Sequence, residues 1–127
     1  MKTIIATNKA PSAIGPYNQA VAFENLIFTS GQIALDPKTM NVIEGGIKEQ
    51  TIRVLENLKA VLEEADSSFD NIIKTTCFLA SMDDFNEFNA AYDRYFNPAT
   101  APARSTVAVK TLPKNVLVEV EVIAFKN

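Results

Sequence analysis

The last part of the chain, residues 116–125, alternates along its length between two kinds of side chain. One set is Val118, Val120, Val122 and Ala124, and the other is Leu117, Glu119, Glu121, Ile123 and Phe125. Because successive side chains of a strand point to opposite faces, this alternation predicts a β-strand with one aliphatic face and one mixed face. The aliphatic face must be buried, so the strand needs a second layer packed against that side.

Two amphipathic helices set among further strands can supply that layer. Residues 47–65 carry apolar side chains at helical spacing, and a second helix opens at residues 81–84 and ends before Pro98. Strand patterns cover residues 19–23, 26–29, 71–80 and 103–110. Residues 112–115 are expected to join the last two strands as a hairpin. This order of elements predicts an α+β fold, with both helices packed on one face of a single mixed sheet.

Length and composition limit the number of domains, the classes of binding partner and the cellular compartment. A chain of 127 residues fits a single domain, spanning residues 1–127. A net charge of −3 argues against nonspecific binding to nucleic acid, and no apolar run is long enough to cross a membrane. The single cysteine, Cys77, excludes an internal disulfide and fits a reducing cytoplasm, where we expect the protein.

The absence of histidine restricts the chemistry. Without histidine, neither a Ser–His–Asp nor a Cys–His arrangement can form, and one cysteine cannot build a zinc site. No glycine-rich phosphate loop is present. We therefore expect no metal and no cofactor, and any chemistry must come from carboxylates, arginine, tyrosine, hydroxyl groups or the backbone.

The predicted strand at residues 103–110 also alternates. One set is Ser105, Val107 and Val109, and the other is Arg104, Thr106, Ala108 and Lys110. If the valine-bearing sides of the last two strands both face the helices, Arg104 and Thr106 share the open face with Glu119 and Glu121. A half-apolar open face is unfavourable in water, so we expect a homo-oligomer with ligand sites in clefts between its subunits.

Several short motifs occur in one order along nearly the whole chain. They are Ala13-Ile14-Gly15-Pro16-Tyr17, Thr29-Ser30-Gly31-Gln32-Ile33, Asn57-Leu58-Lys59-Ala60-Val61, Asp83-Asp84-Phe85 with Asn89, Pro102-Ala103-Arg104-Ser105 and Glu119-Val120-Glu121-Val122. Each fragment alone is weak, but their order and spacing together resemble the Rid family of enamine/imine deaminases, also called YjgF-like.

The resemblance implies a chorismate-mutase-like homotrimer whose sheets face inward, with its sites at the subunit interfaces. It also implies hydrolysis of 2-iminobutanoate and 2-iminopropanoate to 2-keto acids and ammonia. By position, Arg104 would bind the substrate carboxylate and Glu119 would handle the attacking water. The residues that would line the pocket from the neighbouring subunit are Tyr17, Ser30, Gly31 and Asn89. The backbone carbonyl of Thr106 would accept a hydrogen bond from the imine nitrogen.

Other interpretations of these residues stay open. Archetypal deaminases of the family usually have cysteine at the position of Thr106, where only the carbonyl is implied to act. Without the resemblance, Arg104 and Glu119 are ordinary strand residues, more often found in ion pairs than in sites. The alternative function is a non-catalytic trimer that binds small carboxylates or a partner protein in regulation. A ribonuclease is disfavoured by the acidic charge and the lack of histidine.

Overall fold

The computed structural model describes all 127 residues and confirms the α+β architecture, with one six-stranded sheet and two α-helices. A short first strand, absent from the predicted order, is added at residues 3–5. The strands are β1 (Thr3–Ile5), β2 (Ala20–Phe23), β3 (Leu26–Thr29), β4 (Ile72–Leu79), β5 (Ala103–Ala108) and β6 (Val118–Phe125), and the helices are α1 (Ile47–Glu64) and α2 (Phe85–Asp93).

The core lies between the helices and one face of the sheet. The apolar stripe of α1 is fully buried there against the aliphatic side of β6, which confirms the alternation predicted for residues 116–125. Glu49 fixes the start of α1, because its Oε1 accepts a hydrogen bond of 2.8 Å from the backbone N–H of Gly46. Neither helix combines the length and the apolar character needed to span a membrane.

The strand order is β1-β2-β3-β6-β4-β5, which differs from the prediction at the last two strands. The hairpin expected at residues 112–115 is wrong, because β4 lies between β5 and β6. Helix α2 carries the chain back across the sheet, so β5 pairs parallel to β4 and becomes an edge strand. The segment after β5 must therefore pass the end of β4, at Leu79, before β6 begins.

The expected orientation of β5 is also wrong. Arg104 is aligned with Thr75, which is fully buried beneath the helices, whereas Val107 is aligned with Phe78 on the uncovered face and is 47% exposed. An edge strand has only one neighbour and is incompletely covered, so it does not have to bury its valine side. Arg104 and Thr106 therefore face the helices, on the opposite side of the sheet from Glu119.

The second face of the sheet has no helix over it. Its side chains include both glutamates of β6 and several large apolar residues that are 37–50% exposed. The apolar residues are Phe23, Leu26, Phe28, Val107 and Phe125. This surface, which we call the open face, matches the half-apolar face predicted from the sequence of β6.

Candidate functional site

Arg104 lies on the helix side of β5, against the aromatic side of α2. Its guanidinium carbon is 4.7 Å from the centre of the Tyr92 ring and 5.6 and 6.0 Å from the centres of Phe85 and Phe88. The negative faces of aromatic rings attract such a cation. These rings are uncharged, so they orient the guanidinium without neutralising it, beside a surface cavity of about 360 Å³.

Asn89 is the polar partner of Arg104. The Nη1 group of Arg104 donates a hydrogen bond of 2.7 Å to Asn89 Oδ1. The sequence analysis assigned Asn89 to the neighbouring subunit, but the structure brings both residues together within one chain, because α2 packs over the helix side of β5. One of the five guanidinium donors is thereby used, and the others are left for a ligand.

Thr106 lies two residues beyond Arg104 on the same side of β5. Val109 donates its backbone N–H to Leu79 on β4, and backbone groups alternate in direction along a strand. The carbonyl of Thr106 therefore points away from β4, toward the free edge of the sheet, where it can accept a hydrogen bond. Thr106 Oγ1 is buried and has no hydrogen-bond partner within the chain.

Cys77 is aligned with Thr106 but is a core residue, as its sequence context suggested. It is fully buried, and burial raises the pKa of its thiol to about 11. A thiol with that pKa stays protonated at neutral pH and is a poor nucleophile. No three His, Cys, Asp or Glu side chains lie close enough together to hold a metal ion.

Glu119 lies on the open side of β6 and packs directly against Gly31. A Cβ atom placed on Gly31 would overlap the Glu119 carboxylate, lying only 2.8 Å from its Cδ. Glycine at this position allows the close approach of the Glu119 side chain, and its φ is not positive. Ser30 and Gly31 form a bulge, because β3 ends at Thr29 and pairing with β6 resumes at Gln32, opposite Val120.

The Glu119 carboxyl is half-buried, and its pKa is raised. The main cause is burial, which disfavours the charged form, and repulsion from the neighbouring Glu121 adds to it. A carboxyl group with a raised pKa exchanges protons more readily near neutral pH than an ordinary surface glutamate. These properties suit a residue that takes up and returns a proton.

A cleft of about 500 Å³ opens beside Glu119 and is walled by the N-terminal segment. Tyr17, Ser30 and Gly31 line it together with Glu119, so four of the predicted site residues come together in one chain. Tyr17 is 51% exposed, and Ser30 Oγ donates a 2.6 Å hydrogen bond to the backbone carbonyl of Asn18. The apolar side chains of Ile33, Leu35 and Met40 also line the cleft.

Gln19 holds this N-terminal wall in place, a role that the sequence analysis missed. The side chain is buried and forms four hydrogen bonds with the backbone. It accepts from the N–H of Thr7 at 2.7 Å and donates to the carbonyls of Thr7, Ala10 and Pro11 at 3.0, 3.3 and 2.7 Å. Its position two residues after the motif that ends at Tyr17 was the available signal, but the partners of a buried amide are not visible in a sequence.

The predicted residues thus form two separate groups. Arg104, Asn89 and Thr106 lie at the β5 edge on the helix side, whereas Glu119 and the cleft lie on the open side of β6. The strand β4 separates the two groups, so one chain does not bring Arg104 to Glu119. The structure defines a small α+β protein with a chorismate-mutase-like fold, in which the predicted site residues form one group around Arg104 and another around Glu119.

Comparison with known proteins agrees with this description. The family model described as Endoribonuclease L-PSP matches residues 7–126. A RutC family protein of Synechocystis is 54% identical over 122 residues, covering 95% of this chain and 94% of the relative. The human 2-iminobutanoate/2-iminopropanoate deaminase is 40% identical over 127 residues, covering 100% of this chain and 92% of the relative. The crystal structure of E. coli TdcF with bound serine has a TM-score of 0.91 at 42% identity, covering 98% and 99% of the two chains.

The chain therefore belongs to the endoribonuclease L-PSP family, the same Rid or YjgF-like family that its motifs indicated.

Proposed function

We propose that this protein is a deaminase that hydrolyses 2-iminobutanoate and 2-iminopropanoate to 2-keto acids and ammonia. Human and mouse relatives that are 40% and 43% identical over all 127 residues carry that name. The observation that carries the proposal is the setting of Arg104, whose guanidinium is oriented by neutral partners and keeps donors free for a carboxylate. The single free thiol fits action in the cytoplasm.

The complete site is proposed to form between subunits of a homotrimer. The open face carries exposed apolar side chains that a second copy of the chain would cover, with the sheets facing inward. The Arg104 half-site of one subunit would then lie opposite the Glu119 cleft of the next, with Tyr17, Ser30 and Gly31 contributed by that neighbour. Light scattering tests this assembly, since a monomer or a dimer in solution would contradict it.

Substrate binding follows from the carboxylate beside the C=N bond. Arginine holds a carboxylate through two parallel charge-assisted hydrogen bonds, which fixes the orientation of the adjacent carbon. The outward carbonyl of Thr106 would accept a hydrogen bond from the imine nitrogen. The protonated C=N bond is already electrophilic, so the proposed reaction uses no nucleophilic side chain, metal or cofactor.

Hydrolysis then requires one water molecule and three proton transfers, two of which involve Glu119. Glu119 would accept a proton as the water oxygen bonds to the imine carbon, while the C=N π electrons move to nitrogen. The resulting carbinolamine receives that proton on nitrogen, and the C–N bond breaks to release ammonia. The released ammonia takes up the hydroxyl proton and becomes ammonium, which completes the carbonyl of the 2-keto acid. The raised pKa of Glu119 suits both proton transfers.

A trapping assay tests the proposal. A threonine dehydratase generates 2-iminobutanoate in place, semicarbazide traps the residual imine, and the rate of trapping is compared with and without the protein. We expect wild type to reduce trapping and Arg104→Ala to lose about 100-fold of that effect, as expected for losing charge-assisted hydrogen bonds. Arg94→Ala, at the exposed end of α2, is the matched control and should behave like wild type.

The outcomes separate the candidate functions. Unchanged trapping with wild-type protein, combined with binding of 2-oxobutanoate, would favour the non-catalytic carboxylate-binding protein. Reduced trapping that survives Arg104→Ala would show that the assigned site is wrong. A ribonuclease, the activity that the family description names, is not proposed, since the chain is acidic and has no histidine.

A further inference from the structure

Tyr92 is one of the three aromatic rings around the Arg104 guanidinium, and it is buried. Its ring centre is 4.7 Å from the guanidinium carbon, closer than the centre of either phenylalanine ring in contact with Arg104. The side chain is only 6% exposed. A ring in this position supplies a fixed surface on which the guanidinium plane can rest.

The ring is fixed at its far end by a hydrogen bond. The hydroxyl groups of Tyr92 and Thr75 are 2.8 Å apart, and both residues are buried. Thr75 is the residue of β4 aligned with Arg104 in the parallel register. The hydrogen bond therefore ties α2 to the sheet at the row that carries Arg104.

Neighbouring rings prevent Tyr92 from rotating away. Phe88 lies 5.6 Å from it on one side and Phe96 lies 4.5 Å from it on the other, measured between ring centres. Asn89, one turn earlier on α2, holds Nη1 of the same guanidinium. Arg104 is thus restrained by an amide at one nitrogen and by an immobile ring over its plane. A free arginine side chain loses rotamer entropy when it is fixed, and this arrangement removes much of that cost before binding.

We propose that Tyr92, anchored through Thr75, is a positioning residue that holds the Arg104 guanidinium ready to bind the substrate carboxylate. This inference rests on the proposed function, because it gives Arg104 a carboxylate to bind. In this proposal Tyr92 acts on binding through Arg104 and takes no part in the chemical step. Its loss should therefore weaken binding of the carboxylate more than it slows the chemical step.

Kinetics of Tyr92→Leu in the imine-trapping assay test the inference. We expect KM to rise about tenfold, the factor typical of a partly desolvated cation–π contact, with kcat within about twofold of wild type. Inhibition by the product 2-oxobutanoate should weaken by a similar factor, since it presents the same carboxylate. Phe69→Leu is the matched control, because Phe69 stacks on Phe96 at 5.4 Å in the same aromatic cluster but is not among the rings around Arg104. Its KM should stay at the wild-type value even if its stability falls.

The anchor supplies a second test that keeps the ring. Thr75→Val and Tyr92→Phe each remove one hydroxyl of the 2.8 Å pair, and the double variant removes both. We expect the two single variants to raise KM by about the same factor as each other. The KM of the double variant should be no higher than that of either single variant. Wild-type KM in folded Tyr92→Leu, or in both anchor variants if Tyr92→Leu does not fold, would overturn the inference. If Arg104→Ala also kept the wild-type KM, the proposed function would fail as well. If Arg104→Ala lost activity while the Tyr92 and Thr75 variants kept the wild-type KM, only the inference about Tyr92 would be overturned.

Discussion

Replacing Gly31 with alanine tests the contact between the β3 bulge and Glu119. The new Cβ would lie 2.8 Å from Cδ of Glu119, whereas carbon atoms in contact are normally about 3.5–4.0 Å apart. The carboxyl group must therefore retreat by about 1 Å. Gly31 is not one of the residues with a positive φ, so alanine adds no backbone strain there.

The consequence for stability is small and the consequence for catalysis is large. The atoms that must move belong to the flexible end of a side chain, so the free energy of unfolding should fall by less than about 1 kcal/mol. A displacement of about 1 Å in a catalytic group can cost about 100-fold in rate. We therefore expect kcat of Gly31→Ala in the imine-trapping assay to fall by about 10- to 100-fold.

The pH dependence identifies the cause of that loss. Burial is the main reason that the pKa of Glu119 is raised, so pushing the carboxyl group toward solvent should lower its pKa. The acidic limb of kcat/KM should then shift to lower pH in Gly31→Ala. Gly46→Ala is the control, because its Cβ would meet nothing closer than 4.0 Å. A wild-type kcat in Gly31→Ala would refute the reasoning. So would a lower kcat with an unchanged acidic limb of the kcat/KM profile, which would indicate that the alanine blocks the ligand directly.

Three further predictions concern the same half-sites. Gln19→Leu should lower the free energy of unfolding by about 2–4 kcal/mol in urea titrations, because buried backbone groups of the N-terminal wall lose their partner; a change within error would mean that water replaces the amide. Glu119→Gln should gain stability over wild type at pH 8 but not at pH 4. The folded state holds the Glu119 proton more tightly than the unfolded chain does, so wild-type stability falls as pH rises above the ordinary pKa of 4.5. An equal difference at both pH values would contradict the raised pKa. Thr106→Cys should change kcat/KM by no more than about twofold if only the carbonyl acts, and a large gain would show that a thiol contributes.

Periodic patterns in the sequence were sufficient to predict the helices and most of the strands. The stripe of α1 and the alternation of β6 are strong because each buries one side completely, which leaves a regular pattern of apolar residues. The bulge at Ser30 and Gly31 was also predictable, since a glycine interrupts an otherwise strand-like segment. The motifs around Tyr17, Gly31 and Arg104 identified the family, because their order and spacing reflect the whole fold.

The sequence by itself determined which residues share a face within each strand, but the tertiary structure decided which way each face points. For β6 the orientation predicted from the sequence agrees with the structure, because a central strand with an aliphatic face has only one favourable orientation. For β5 they differ, because an edge strand can leave Val107 exposed and place Arg104 under α2. The pairing of Arg104 with Asn89, and the separation of Arg104 from Glu119 within one chain, follow from β5 lying outside β4. That order is set by the helix crossover and not by any local pattern.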